Sequence, residues 1–138
     1  MAKKKQKRGG VIPYYIEEDG TIKLLFMKPS DAKYGGAQFQ IAKGKIEEDE
    51  SDEDGAFREA QEELGLFEPN TRNRVNLGVF LGRTTFYIAE VIDKDKFGDT
   101  TFETEATKWM TPEEFQKEGR DLHKSVVKAA VRSIEKRL

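Results

Sequence analysis

The sequence predicts an α/β fold. Six short runs rich in β-branched and aromatic residues are interleaved with two segments whose apolar residues recur at helical spacing. At 138 residues the chain is one domain, long enough to bury a core. Apolar and charged residues each make up 36%. The charges fall in runs and the apolar residues in periodic blocks, so the chain stays within the folding range.

Residues 1–9, with Lys3-Lys4-Lys5-Gln6-Lys7-Arg8, read as a basic flexible arm, and residues 10–138 as the folded domain. Val11 to Ile16 and Ile22 to Met27 are two strands, and Asp19-Gly20 between them is a hairpin signal. Leu24-Leu25-Phe26-Met27 is continuously apolar, as in a strand covered on both faces. Pro29 to Gly36 is a loop, and Ala37 to Ala42 alternates as a further strand. Ala56 to Gly65 is a helix. Residues 67–73 hold Pro69, Asn70 and Asn73 and read as a loop. Val75, Leu77, Val79 and Leu81 define the inner face of a half-buried strand, which turns at Gly82-Arg83 into a strand over Thr84 to Ile92. Residues 93–100 form a loop, and Thr101 to Met110 extends as a strand ending at Trp109, a core candidate. Thr111-Pro112-Glu113-Glu114 starts a helix, with an N-cap threonine, proline at the first helical position and a reciprocal glutamate. From Asp121 to Leu138, Leu122, Val126, Val127, Ala130, Val131 and Ile134 form the apolar stripe of a last helix. His123, at its start, reads as a cap or surface residue.

Composition removes several chemistries. With no cysteine there are no disulfides, no thiol catalysis and no zinc site built on Cys. A single histidine makes a His-rich metal site or a Ser-His-Asp triad a poor option. No apolar run approaches membrane-spanning length, and the N-terminal residues lack the apolar core of a secretion signal. We expect a cytoplasmic protein with no membrane partner. Outside the basic arm the body is strongly acidic, which argues against broad nucleic-acid binding, while the arm leaves RNA open as a partner.

The acid is concentrated. From Glu47 to Glu63 there are ten carboxylates and one cation, Arg58. Ser51 is placed to cap the helix, Asp52, Glu53 and Asp54 suit the positive end of its dipole, and Gly65 suits a left-handed stop. At about 100° per residue, Ala56, Phe57, Ala60 and Leu64 fall on one arc, the buried face. Glu59, Glu62 and Glu63 fall on the adjacent arc. Like charges at this spacing repel, so the cluster is either a solvated helix face or the seat of a hard divalent cation. Oxygen-only donors suit Mg²⁺ or Mn²⁺. Glu50-x-Asp52-x-Asp54-Gly55 opens like a calcium loop, but Gln61 stands where the closing bidentate glutamate is needed.

The spacing Gly44-x5-Glu50-x7-Arg58-Glu59-Ala60-x-Glu62-Glu63-x-Gly65-Leu66 resembles the complete Nudix box, and the resemblance extends over residues 10–138. It departs at Ala42, where many members of the Nudix hydrolase family have proline. The resemblance implies a Nudix-type α/β/α sandwich around a mixed sheet. It implies metal-dependent hydrolysis of a nucleoside diphosphate linked to another group, with a nucleotide as substrate. Glu59, Glu62 and Glu63 would then hold the metal, one of them also serving as base, with help from the Gly44 carbonyl. Glu50 and Arg58 would pair and hold the loop to the helix.

Lys43 and Lys45 flank the box and are candidates for binding phosphate, as is Arg83 at the hairpin tip. Glu105 is a candidate extra ligand or base, and Tyr34 and Phe39 are candidates for stacking on a nucleobase. The hairpin and Lys43-Gly44 resemble dinucleoside-polyphosphate and RNA-end hydrolases more than coenzyme A or NADH enzymes. A dinucleoside polyphosphate is the first expectation for the substrate, with (d)NTPs or RNA 5′ ends next. A catalytically silent nucleotide-binding module and a purely structural acidic domain are the rival readings.

Overall fold

A computed structural model describes residues 6–34 and 36–138 of the chain. Its strands are β1 (Arg8–Ile16), β2 (Ile22–Pro29), β3 (Ala42–Lys45), β4 (Thr71–Phe80), β5 (Thr84–Val91) and β6 (Thr104–Met110). Its helices are α1 (Asp52–Leu64), α2 (Pro112–Glu118) and α3 (Lys124–Glu135). The six strands form one mixed sheet in the order β4-β5-β1-β2-β6, with β3 paired to β1. β1 is the hub. It runs parallel to β5, pairs antiparallel with β3 through Arg8 to Val11, and with β2 through Tyr14 to Ile16.

Helices cover both faces, and the period-two alternation of the strands decides which residue meets which helix. Val11, Tyr87, Ala89 and Val91 pack with Ala56, Phe57 and Ala60 of α1. Ile12, Leu24, Phe26, Phe86 and Ile88 pack with Phe115 of α2 and with Val126, Val127, Ala130 and Ile134 of α3. Leu25 and Met27, which alternate with Leu24 and Phe26, join Leu64 on the α1 side. The expected α/β/α sandwich is therefore present, and the continuous apolar run of β2 is explained by burial on both faces. Each fully buried side chain of this size contributes about 1.5–3 kcal/mol, which lets two thin cores hold a highly charged chain. The α2 start forms as expected: Thr111 Oγ1 accepts from Glu114 N–H at 3.1 Å and Glu114 Oε1 accepts from Thr111 N–H at 3.0 Å.

Several elements differ from expectation. Residues 1–5 of the basic arm lie outside the described residues, but Arg8 and Gly9 belong to β1, and Gln6 Nε2 donates to Ile46 O at 2.9 Å. The strand expected over Ala37 to Ala42 lies instead at Ala42–Lys45, because the first half of β1 fixes its register there; Phe39 and Gln40 make only isolated bridges. β4 begins at Thr71, inside the expected loop, and carries two register shifts. The second, between Asn76 and Gly78, reverses the phase of the alternation. Val75 and Leu77 pack on the core, but Val79 is 65% exposed and Phe80 turns inward against Phe86. Gly78 has φ 104 and donates its N–H to Asn76 Oδ1 at 2.7 Å, a conformation that favours glycine. β6 begins at Thr104 rather than Thr101.

The last helix also starts later. Asp121–His123 is a 3₁₀ turn, and the changed phase leaves Leu122 half exposed and buries His123 completely. His123 Nδ1 accepts from Ile41 N–H at 3.0 Å. Burial, reinforced by the charges of Lys43 and Arg120, pushes its pKa down to about 3. A depressed pKa means that the unfolded chain takes up a proton, below about pH 6.5, that the fold refuses. The stability tied to neutral His123 is thus complete above pH 6.5 and is lost as pH falls toward 3. Urea unfolding of wild type and His123→Asn should show the wild type's advantage shrinking by about 1.4 kcal/mol per pH unit between pH 6 and 5. A pH-independent difference would contradict this account.

Candidate active site

The site is assembled where β3 meets α1. Ser51 Oγ accepts from Asp54 N–H at 3.1 Å and starts the helix, and Gly65 ends it in the left-handed conformation at φ 75. Between these caps Ala56, Phe57, Ala60 and Leu64 are buried, as the sequence predicts, so the helix can roll in neither direction. That fixes the arc carrying Glu59, Glu62 and Glu63.

Arg58 ties the helix to the strand. Its Nε donates to Glu50 Oε2 at 3.1 Å and its Nη2 to Glu50 Oε1 at 2.8 Å, a fork on one carboxylate. Nη2 also donates to the Lys45 carbonyl at 2.9 Å, while Nη1 reaches Glu59 Oε1 at 3.2 Å and Glu62 Oε1 at 3.3 Å. Glu50 Oε1 also accepts from Glu47 N–H at 2.8 Å, which closes the loop between β3 and α1. The Arg58 bonds hold the Glu50 carboxyl below the usual carboxylate range.

Two of the three glutamates enter a cavity of about 590 Å³ lined also by Lys43, Gly44 and Lys45. The Glu59 carboxylate packs directly on Gly44, where any β-carbon would collide with it. Glu63 Oε1 accepts from Lys43 N–H at 3.4 Å. Burial, and then the charge of Glu59, push the Glu63 pKa up to about 8; burial, and then Glu62, also raise that of Glu59. Lys43 is pushed down to about 8 by burial and by Arg8 and Arg120. These groups are crowded, desolvated and held on rigid elements.

The other expected residues divide. Glu62 is turned to Arg58 and does not line the cavity, and among the described residues no three acidic or imidazole groups converge as a metal-holding set. Glu105 points away from the cavity to Lys28 Nζ at 3.9 Å; Glu103, two residues earlier, lines the cavity instead. Phe39 stands between Lys28 and Lys108, each 5.9 Å from its ring, and its neighbours Gln40 and Ile41 take the lining positions. Arg83 lies outside the lining at the β4–β5 turn, near enough for its charge to lower the Lys43 pKa. The Tyr34 side chain lies outside the described residues. Trp109 is half-buried, edge-on to Tyr15 at 4.7 Å. Sequence reasoning missed Arg8, Gln40, Glu103 and Arg120. Arg8 was two residues from the alternating run Gly10, Ile12, Tyr14 and could have been placed on its face; Arg120 carried no local signal.

A family model described as the NUDIX domain matches residues 6–130. The structure is similar to a C. elegans Ap4A hydrolase in a binary complex, with a TM-score of 0.76, 17% identity, and coverage of 95% of this chain and 98% of that one. It is similar to a mutT/nudix family protein from Listeria innocua, with a TM-score of 0.74, 21% identity, and coverage of 99% and 98%. It is also similar to the NUDIX domain of Shewanella oneidensis NrtR complexed with ADP ribose, with a TM-score of 0.70, 14% identity, and coverage of 96% and 90%. At these identities the likeness establishes the fold. No curated protein matches the sequence.

The Arg58 fork has a direct test. Arg58→Lys keeps the charge but cannot hold Glu50 through two parallel bonds and reach the Lys45 carbonyl at once. We expect a loss of about 2 kcal/mol in urea unfolding, the scale of a charge-assisted bond. A variant as stable as wild type would remove Arg58 from this role.

Proposed function

The chain belongs to the NUDIX family and is a hydrolase of pyrophosphate bonds, and we propose that it is a divalent-metal-dependent enzyme acting on a nucleoside diphosphate linked to another group, with a dinucleoside polyphosphate as first substrate. The observation that carries the metal dependence is the pair Glu59 and Glu63, desolvated in one cavity beside Gly44. Ionising both there is unfavourable without a cation, and a set of hard oxygen donors fits Mg²⁺ or Mn²⁺. Glu59, Glu63 and the Gly44 carbonyl would hold the ion, with Glu62 joining from its contact with Arg58. Bound there, such an ion neutralises phosphate charge and lowers the pKa of water.

The remaining work falls to the chain. One carboxylate of the cluster accepts the proton of the attacking water. Lys43 and Lys45 lie along the same cavity and offset the charge of phosphate oxygens. Arg58 keeps Glu59 on its arc, and Gly44 leaves the space that Glu59 occupies. The likeness to the C. elegans Ap4A hydrolase supports a dinucleoside polyphosphate. A second reading, a (d)NTP or RNA 5′ end, is favoured by Arg8, which brings the basic arm to the cavity wall.

Hydrolysis of diadenosine polyphosphates, ADP-ribose, (d)NTPs and triphosphorylated or capped RNA, each with Mg²⁺ and Mn²⁺, tests the assignment. Glu59→Gln and Glu63→Gln should each lower kcat on the best substrate by about 100-fold or more. Full activity in both variants would refute the site, and no turnover of any substrate would leave a silent binding module. Gly44→Ala should lower kcat by a similar factor by displacing Glu59, with the fold intact by circular dichroism. Mg²⁺ at 100 times Kd should stabilise wild type by about 2.7 kcal/mol and so raise its melting temperature, and EDTA should reverse the rise. An unchanged melt would favour a structural acidic domain.

A further inference from the structure

The Lys43-Gly44-Lys45 segment of β3 sorts charge by alternation. Gly10 pairs with Lys43 and Arg8 with Lys45. A β-carbon on Gly10 would meet the Phe86 ring, which belongs to the core layer under α3. Arg8, Lys43 and Lys45 therefore share the face of the sheet opposite α1. Gly44 has the other face, against Glu59. β3 pairs with β1 alone among the described strands, and the cavity wraps its free edge, with the α1 carboxylates on one side and cations on the other.

Arg120 completes the basic side. Its N–H donates to Phe39 O at 2.8 Å, and its Nη1 donates at 3.1 Å to Oε1 of Gln40, a side chain only 3% exposed. Arg58, Arg72 and Arg74 each pair with a carboxylate. Among the described residues Arg8, Arg83, Arg120, Arg132 and Arg137 have no acidic partner within ion-pair distance, and of these Arg8 and Arg120 line the cavity. Burial and the neighbouring charge of Arg8 push the Arg120 pKa down. Half-buried cations gathered with no carboxylate in ion-pair contact are stabilised by an anion between them, and a guanidinium fork suits phosphate.

We propose that Arg8, Lys43 and Arg120 form a second anion subsite across the β3 edge from Glu59 and Glu63, taking a phosphate beyond the diphosphate that is cleaved. The substrate class is then a polyphosphate of three or more phosphates rather than a diphosphate sugar. The substrate assignment rests on the hydrolase reading above; the subsite itself does not.

Calorimetric binding of inorganic tripolyphosphate and of pyrophosphate, without divalent metal, tests the subsite in wild type, Arg8→Gln, Arg120→Gln and the exposed α3 control Arg132→Gln. Tripolyphosphate should bind wild type more tightly than pyrophosphate, and Arg8→Gln and Arg120→Gln should each weaken it about tenfold or more. Arg132→Gln should bind as wild type, and thermal melts identify any variant that fails to fold. With metal, Arg120→Gln should raise the KM for diadenosine tetraphosphate more than it lowers kcat, and should raise the KM for ADP-ribose less. Tripolyphosphate binding by both Arg variants at the affinity of Arg132→Gln overturns the subsite even if hydrolysis proceeds. Weakened binding in both variants, with no hydrolysis by wild type, leaves the subsite standing and removes the hydrolase reading instead.

Discussion

The site depends on one guanidinium. Arg58 grips Glu50 with two nitrogens, the Lys45 carbonyl with one of the same two, and Glu59 and Glu62 with the third. In that way a side chain from the middle of α1 fixes the end of β3, the loop that follows and two of the acids beside it. Without that link the helix would still bury Ala56, Phe57, Ala60 and Leu64. Helical packing sets its rotation, Ala42 of β3 packs in one cluster with Leu64, and Ile46, just past β3, lies against Gly55; the fork adds the polar link at the strand end. The fork holds Glu59 of the packed helix against Gly44.

A second constraint is electrostatic. Carboxylates and cations line the same cavity, yet Glu59 and Glu63 do not collapse onto Lys43 and Arg120 as ion pairs. Strand geometry keeps them apart: successive residues of β3 point to opposite faces, so the glycine needed by Glu59 and the lysines opposite it are neighbours in sequence and separated in space. Backbone bonding fills the gap at the edge, through Lys43 N–H to Glu63 and Lys45 C=O to Arg58.

What was legible in the sequence was what local pattern controls. The α1 arc, its caps, the hairpin at Asp19-Gly20 and the capping box at Thr111 depend on residues a few positions apart. The α/β/α layering followed from the family resemblance, and the both-face burial of β2 from its unbroken apolar run. The misses share a different cause. The phase of β4 changes at a bulge that depends on its pairing with β5, so Val79 and Phe80 exchange sides. The place of β3 is dictated by β1, a partner more than thirty residues away. A helix running from Asp121 would make His123 a cap or surface residue, and the 3₁₀ turn rotates it into the core instead. For the candidate site, Gly44, Glu59 and Glu63 are positions of the box and Lys43 and Lys45 flank Gly44, so the sequence proposes all five from one stretch. Arg8, Glu103 and Arg120 come from the two ends of the chain, and only the folded sheet brings them to the box.

The alternation along β3 has an evolutionary consequence. Residues facing α1 govern bond cleavage in our reading, and those facing the other way govern what is held. Substitutions at Lys43 or Lys45, or at Arg8 on the paired β1, alter one face of this strand pair and leave the opposite face untouched. A lineage can therefore retune its ligand in single steps without passing through an inactive ancestor. An insertion or deletion within Ala42–Lys45 has the opposite character, since shifting the register by one would exchange the two faces and abolish both properties together.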